Sequence, residues 1–484
     1  MMPTAPLRVE HSTGAEERLY DSNGDGVADY HERLGPDGRV ALLRLDLNND
    51  GQIDEVVDRT VRRLDTEAPA DRHLLVILDS VPYKLVQEAY ARGRFRLFYP
   101  PVRTIAPFPV MTDVALAEFF GTSPSLASES QYYADSKLRG GYTAYAEERV
   151  AGGWLAHVDY HMRFWVHSVA YFWPFTWYNH ELGNIQRQFY GSDVNFFVGY
   201  SVCTSGLGAQ YGRDGHQGAL VRLDRFCQSV MHRLRGRVQI TLMSDHGHYL
   251  GRSYRIPLPD ILERMGYHVT EKLKGPQDVA VPEFGVVSCA AIYTQSPAAV
   301  ARDLIGVDGV EHAAYLADSD EVVVLGRSGR ARITSGPDGL KYECEYGDPL
   351  EMLPVLAGLQ SKGAVDAQGF ARDRALFDAT MEHKYPDALH RLWRAFHGLV
   401  ESQPDVLLSV QDGRHCGSPF MSSVVDLMGS HGNLGPASSS GFAMTTAGEL
   451  PSVLRLANLR PELAKIGVPI DAKPDRSNDK VVRR

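Results

Sequence analysis

The chain has 484 residues, with 50 Lys and Arg against 60 Asp and Glu, and its net charge of −10 disfavours broad electrostatic binding to nucleic acid. Hydrophobic residues make up 44% and charged residues 23%, which is typical of a folded globular protein and excludes wholesale disorder, a collagen-like chain and a disulfide scaffold. The five cysteines lie far apart without a CxxC pair, so we predict neither a zinc cage nor a disulfide framework.

Residues 1–66 form an acidic segment that carries two similar loops. The spacing D-x-N-x-D-G-x-x-D places oxygen ligands at loop positions 1, 3, 5 and 9 and a glycine at position 6, the pattern that Ca²⁺ requires. Position 12 is a glutamate in the first loop, whereas the second loop has Val57 there and Asp58 one place later. The predicted calcium ligands are Asp21, Asn23, Asp25, Asp29 and Glu32 in the first loop, and Asp46, Asn48, Asp50 and Asp54 in the second.

Over residues 21–58 these loops resemble the loops of EF-hand and dockerin-type calcium modules. The alternative is a pair of Asx-rich surface turns, which are common in proteins. Two matches in tandem favour calcium binding with a structural role.

The body of the chain begins with the apolar run LLVILD at 74–79, which predicts a buried parallel strand. Helical stretches then alternate with apolar runs at 195–202, 237–245, 321–326 and 405–410. This alternation predicts an α/β fold with a doubly wound, mostly parallel sheet. We divide the chain into a calcium-loop segment (1–66), a catalytic domain (67–462) and a polar C-terminal tail (463–484).

Three short motifs in the body carry residues suited to metal chemistry. Asp79 follows the first strand, Thr112 stands in FPVMT, and Asp245 and His246 follow a later strand. Ligands in open α/β sheets gather at the carboxyl ends of strands, so these carboxylates and the imidazole could meet at one divalent ion. A hydroxyl on the same ion becomes a nucleophile at neutral pH, and Thr112 is the candidate. Taken singly, each motif is also consistent with an ordinary helix cap or turn.

In their order and setting the motifs resemble the alkaline phosphatase superfamily, in particular its type I phosphodiesterase/nucleotide pyrophosphatase-like branch. The resemblance covers about residues 70–450 and includes Gly429-Ser430-His431-Gly432, similar to the late histidine motif of that family. It implies an alkaline phosphatase-type fold and a Zn²⁺ or Mn²⁺ cofactor. It further implies the metal ligands Asp79, Thr112, Asp245, His246 and His431, with Thr112 as the nucleophile.

The sequence departs from the two-metal members of that family at the second metal site. They use an Asp and a His four residues apart, and the corresponding positions here are Ser205 and Ala209, which do not bind a divalent ion. Asp214 and His216 lie nearby but only two residues apart. What remains resembles the single-metal lipoteichoic acid synthases and phosphoethanolamine transferases, and by that resemblance His431 is a proton donor or a phosphate contact rather than a ligand.

An aromatic segment at 154–178 contains histidines and leaves two interpretations open. It could form a lid over the metal centre, with His157, Asp159 and His161 replacing the missing ligands, or it could be packing between a cap and the core. Cys203 could be a soft ligand or a small buried residue.

These features predict a metal-dependent phosphate-ester hydrolase or phosphoryl transferase, for which a phosphodiester is the expected substrate. The alternatives are a degenerate member of the same fold that binds phosphate compounds without turnover, and a calcium-stabilised structural protein. The expected partner is a small-molecule or lipid-linked phosphate ester. No apolar run reaches the ~18–20 residues that span a bilayer. The beginning shows no signal peptide, which favours the cytoplasm, whereas calcium loops favour an extracytoplasmic setting. The oligomeric state stays open.

Overall fold

The computed structural model describes residues 2–12, 15–60, 72–149, 153–170 and 173–471, and these residues form a mixed α/β structure with five sheets. The predicted boundary at 66–67 and most of the predicted tail, 472–484, lie outside the described residues. The first part of that tail belongs to a helix and to the core, since Val468 and Ile470 are buried. No helix within the described ranges is long and apolar enough to cross a membrane.

The N-terminal segment is a five-stranded antiparallel sheet in which each strand pairs with the next. Inward residues such as Tyr30, Leu43 and Val57 are buried in the same core as the body of the protein. The two acidic loops therefore connect strands, whereas the loop of an EF-hand connects helices. The strands are β1 (Arg8–Ser12), β2 (Ala15–Tyr20), β3 (Tyr30–Leu34), β4 (Val40–Leu45) and β5 (Glu55–Asp58).

The central sheet contains the three strands that the apolar runs near residues 74, 195 and 237 predicted, and these three run parallel. Leu78 lies opposite both Ser201 and Ser244, so the three strands end at the same edge of the sheet. Two antiparallel pairings and a last parallel one complete the sheet. In spatial order its strands are β10 (Phe196–Ser201), β6 (Arg72–Leu78), β11 (Val238–Ser244), β24 (Ser440–Thr445), β7 (Val102–Ile105) and β25 (Val453–Arg455).

The predicted strands at 321–326 and 405–410 form, but they belong to a second, nine-stranded sheet that is almost entirely antiparallel. Our prediction of one mostly parallel sheet was therefore wrong for this half of the body. An apolar, β-branched run indicates that a strand is buried on both faces, but it does not indicate whether the adjacent strand runs parallel or antiparallel. The strands in spatial order are β13 (His268–Val269), β14 (Asp278–Ala280), β16 (Cys289–Thr294), β22 (Val406–Val410), β17 (Val310–Asp318), β18 (Glu321–Gly326), β19 (Gly329–Ser335), β20 (Gly339–Gly347) and β21 (Ala371–Arg372).

Two small sheets lie beside these layers. One is a hairpin of β8 (Gln131–Ala134) and β9 (Lys137–Gly140), and the other combines β12 (Tyr254–Arg255), β23 (Arg414–Gly417) and β15 (Val286–Val287). The five cysteines are all free, and Cys344 alone among them is not fully buried, so the structure has no disulfide framework.

Helices cover the sheets, and the longest of them is broken at a glycine. Gly212 has φ 53° and ψ −129°, values outside the helical region, so Cys203–Arg233 consists of two consecutive helical pieces. The helices are α1 (Tyr83–Ala91), α2 (Thr112–Phe120), α3 (Tyr142–Ala146), α4 (Phe164–Ala170), α5 (Pro174–Gly191), α6 (Cys203–Arg233), α7 (Leu258–Arg264), α8 (Pro297–Leu304), α9 (Leu353–Ser361), α10 (Asp373–Thr380), α11 (Ala388–Ala395), α12 (Pro419–Val424), α13 (Pro436–Ser439) and α14 (Leu456–Lys465).

The N-terminal sheet contacts helix α6 through a buried carboxyl group. Glu32 accepts hydrogen bonds from the Tyr30 and Tyr20 hydroxyls, at 3.2 and 3.4 Å, and from the Gln228 side-chain amide at 3.1 Å. Burial, reinforced by the nearby Asp224, raises the pKa of Glu32 to about 7. The predicted closing ligand of the first calcium loop thus lies in the interface with the body.

We expect Glu32 to make the protein less stable as the pH rises. Its pKa is higher in the folded state than in the unfolded chain, so the protonated form contributes to the free energy of unfolding. That stabilising contribution is lost as the pH rises from about 4.5 to 7. A difference of that size corresponds to about 3 kcal/mol. Urea unfolding with a calcium chelator present, at pH 5 and pH 8, should show a smaller loss of stability for Glu32→Gln than for the parent chain. Glu10 is exposed, so Glu10→Gln is the control and should show the pH dependence of the parent chain. The same pH dependence of stability in Glu32→Gln and the parent chain would contradict the expectation.

Candidate metal and nucleophile site

Asp79, Asp245 and His246 converge at the shared edge of the central sheet. Their ligand atoms all lie within 4.8 Å of one another, and within the described part of the chain no other group of three such residues does so. The Nε2 atom of His246 is 3.4 Å from Asp245 Oδ2 and 3.9 Å from Asp79 Oδ1. The equal lengths of strands β6 and β11 explain this meeting, because Asp79 and the Asp-His pair each follow directly after their strand.

The hydrogen bonding of this group fits a divalent cation. His246 donates its Nδ1–H to the Gly247 carbonyl at 2.8 Å, so the lone pair on Nε2 faces the two carboxylates. Asp245 Oδ2 is buried and has no hydrogen-bond partner among the described residues. Burial and the neighbouring Asp79 raise the pKa of Asp245 above its usual range. Two carboxylates and an unprotonated imidazole nitrogen form a ligand set for zinc or manganese.

Hydrogen bonds orient both carboxylates from behind. Asp79 accepts from the Ser80 hydroxyl at 2.5 Å and from the Tyr200 hydroxyl at 2.8 Å. The backbone N–H groups of Ser80 and His246 donate to Asp245 Oδ1 at 3.0 and 2.8 Å. The sequence analysis did not identify Ser80 and Tyr200 as site residues. Ser80 lies shortly after one predicted strand, and Tyr200 lies within another.

Thr112 lies beside the carboxylate-imidazole group. It is the first residue of helix α2, and its Oγ1 atom is 3.5 Å from His246 Nε2. The next residue, Asp113, accepts a hydrogen bond from the Trp154 indole at 2.9 Å, and burial raises its pKa to about 7. The structure thus brings the predicted nucleophile to the predicted metal ligands.

His431 adjoins the same group from the far end of the chain. Its ring stacks on His246 with centroids 4.3 Å apart, and its Nδ1–H donates to the Val110 carbonyl at 2.9 Å. Burial and the nearby His246 lower the pKa of His431, so the ring is neutral at pH 7 with a lone pair on Nε2. This form accepts hydrogen bonds or binds a metal, and it is not poised to give a proton.

The positions at which two-metal proteins of the resembled family bind a second ion carry no ligand side chains here. Ser205 and Ala209 are buried in the first piece of helix α6, and Asp214 is exposed to solvent. His216, however, turns inward, and its Nε2 atom lies 3.4 Å from Nδ1 of the buried His248. The break at Gly212 makes this possible because it redirects the second piece of the helix.

The other candidate ligands lie elsewhere. His157 stacks on Phe120 with centroids 5.1 Å apart, Asp159 accepts from the Val198 N–H at 2.8 Å, and His161 lies beside Glu148. Cys203 is buried at the start of helix α6, with its N–H directed at Glu181. The aromatic segment contributes both to packing and to the cavity beside the site. Trp154 and Phe164 are buried in the core, and both also line the cavity. Its residues 171–172 lie outside the described ranges.

The acidic loops have a common hydrogen-bond pattern. Asp21 accepts from the N–H groups of Gly24 and Gly26 at 2.6 and 2.7 Å, and Asp46 accepts from those of Asn49 and Gly51, both at 2.7 Å. These bonds are those of tight Asx-type turns. The remaining predicted ligands lie in the same two loops, apart from Glu32.

A cavity of about 210 Å³ opens next to the site. Asp79, Thr112 and His431 line it together with several aromatic side chains. The cavity can therefore hold a small organic group next to Thr112.

Comparison with known proteins gives a structural likeness alone. No family model matches the chain, and no curated protein matches it in sequence. The structure is similar to murine ectonucleotide pyrophosphatase/phosphodiesterase 5, with a TM-score of 0.43 and 11% identity, over 82% of this chain and 94% of that one. The human protein of the same name gives a TM-score of 0.46 with the same identity and coverage.

Proposed function

We propose that the chain is a metal-dependent phosphodiesterase or phosphoryl transferase that uses Thr112 as its nucleophile. The observation that carries this proposal is the convergence of Asp79, Asp245 and His246 beside the Thr112 hydroxyl. The ion is zinc or manganese, and the catalytic domain extends from about residue 67 past the predicted end at 462, because helix α14 and the buried Val468 and Ile470 belong to its core. The substrate is a small-molecule or lipid-linked phosphate ester.

The residues of the chain suggest how the reaction proceeds. Asp79, Asp245 and His246 would hold a divalent ion, which would supply charge to lower the pKa of the Thr112 hydroxyl and to offset the negative charge of the phosphate. Thr112 gives its proton to water, its Oγ1 atom bonds to phosphorus as the bond to the leaving group breaks, and the leaving alkoxide takes up a proton from water. Water or a second alcohol then cleaves the phosphothreonine ester and restores Thr112. The neutral His431 contributes a hydrogen-bond acceptor beside the reacting group.

Two further points of the proposal concern the ions. One transition-metal ion is bound per chain, because Ser205 and Ala209 supply no carboxylate or imidazole to a second. Calcium binds at the two acidic loops in a structural role, and the first loop closes without the buried Glu32.

Turnover of bis(4-nitrophenyl) phosphate by the full chain tests the proposed function. We expect release of nitrophenol that stops after the transition metal is removed with a chelator and returns with zinc or manganese, but not with calcium alone. Removing the metal removes the charge stabilisation of the transition state.

The alternative function predicts a different result. A degenerate scaffold would bind the metal and phosphate compounds but release no nitrophenol from any diester. The missing second-site ligands favour this outcome, so metal-loaded protein without turnover would replace our proposal with it.

A further inference from the structure

The cavity next to Thr112 has aromatic walls. The Phe284 ring lies between Tyr142 and Tyr145, with centroids 4.9 and 5.2 Å away. On the other side, Trp154 and Tyr200 meet edge to face at 5.5 Å. Six aromatic side chains line the cavity: Tyr142, Tyr145, Trp154, Phe164, Tyr200 and Phe284.

Three of these rings carry a hydrogen-bond donor that is already engaged. The Tyr145 hydroxyl donates to His167 Nδ1 at 2.7 Å, because the other nitrogen of that ring donates to the Met162 carbonyl. The Tyr200 hydroxyl donates to Asp79, and the Trp154 indole donates to Asp113. These rings therefore offer a ligand their electron-rich faces and oxygen lone pairs.

The charged residues of the cavity are all acidic. Asp79, Asp113 and Glu129 line it, and none of its described lining residues is a lysine or an arginine. Glu129 is 8% exposed and accepts a hydrogen bond from the Gly285 N–H at 3.0 Å, directly beside Phe284. Burial raises its pKa to about 7, and Glu283 reinforces the effect. A cation in the cavity would stabilise the ionised form of this carboxyl.

A second observation points to a polar ligand. The Ser128 hydroxyl lines the same cavity, is 5% exposed as a residue, and has no hydrogen-bond partner among the described residues. Buried hydroxyls usually have a partner, so a bound molecule is its natural complement.

From these features we propose that the cavity binds a positively charged ammonium group on the organic part of the phosphodiester. The inference rests on the proposed function for the position of the phosphate. Aromatic faces together with a buried carboxylate attract an ammonium group. The ionised Glu129 would repel an anionic group. A polyhydroxylated sugar would meet mainly apolar surface, with few partners for its hydroxyl groups.

Binding of choline to the metal-loaded full chain tests the proposal. Its neutral carbon isostere, 3,3-dimethylbutan-1-ol, has the same shape without the charge. Calorimetric titration should show at least ~10-fold tighter binding of choline, because only the charged ligand gains the cation–π and carboxylate attraction. Glu129→Gln keeps the acceptor for Gly285 but removes the charge, and should reduce the preference severalfold. Tyr145→Leu should do the same by removing a ring face.

Matched controls separate charge from shape and from misfolding. Glu283 lies near Glu129 but does not line the cavity, and it pairs with Arg255 at 2.5 Å. The variant Glu283→Gln should therefore keep the preference for choline over the neutral isostere. Tyr145→Phe keeps the aromatic ring and should also keep the preference for choline. Equal binding of the two ligands, or no binding of choline, would overturn the inference. Because calorimetry requires no turnover, this outcome is distinct from failure of the diester assay.

Discussion

Thr112→Ala is expected to abolish turnover of bis(4-nitrophenyl) phosphate, by about 10⁴-fold or more in kcat. The variant would lack the oxygen proposed to bond to phosphorus, whereas the three proposed metal ligands Asp79, Asp245 and His246 would remain. Thr112 is the first residue of helix α2, and the N-cap position belongs to Met111, so alanine at position 112 should leave that helix intact. Steady-state kinetics and metal analysis of the same samples measure both effects.

Thr112→Ser is the matched control because it keeps a hydroxyl at the same position, and it should retain a measurable fraction of the activity. Acid quenching of the parent enzyme during turnover should trap one phosphoryl group on Thr112, located by peptide mass spectrometry. Full activity in Thr112→Ala would eliminate this residue as the nucleophile and leave a metal-bound water as the attacking group.

Asp245→Asn is expected to remove the transition metal. The amide keeps the Oδ1 acceptor used by the N–H groups of Ser80 and His246, but it replaces the unpartnered Oδ2, the atom nearest His246 Nε2, with a non-ligating NH₂. Elemental analysis should change from one zinc or manganese per chain to none, while the calcium content stays constant. The gain in stability on adding metal, about 2.7 kcal/mol at 100 times the Kd, should vanish with it.

The metal-free variant should be as stable as the metal-free parent. The raised pKa of Asp245 means that burial favours the protonated carboxyl in the metal-free protein, and asparagine mimics that form. Undiminished metal content in the variant would place the ion elsewhere, and His216 with His248 would be the first residues to test.

The fold could be predicted where apolar runs are long. The runs at 74–79, 195–202 and 237–245 became the three parallel strands of the central sheet. Strand β24 was missed because it follows a run of serines, and its burial comes from neighbours distant in sequence. The sheet membership of residues 321–326 could not be read from the chain, since hydrophobicity does not encode the direction of a partner strand.

For the candidate site, the residues that follow strands were predictable. Asp79, Asp245 and His246 meet because their strands end in register, as the rule for carboxyl-terminal edges implies. The pairing of His216 with His248 was not predictable, because it depends on the non-helical backbone at Gly212. The sequence also could not show that Glu32 faces helix α6, because the loop spacing is the same whether Glu32 faces the calcium loop or the helix.

The N-terminal sheet ties its own stability to that of the body. The Met2 N–H donates to Ser229, the Tyr30 ring meets His232 at 5.7 Å, and Val57 lies against Gly236, so one apolar core spans both parts. The two parts should unfold in a single cooperative transition. Any ligand of the sheet then raises the free energy of unfolding of the body by RT ln(1 + [L]/Kd), and a ligand of the body stabilises the sheet in the same way.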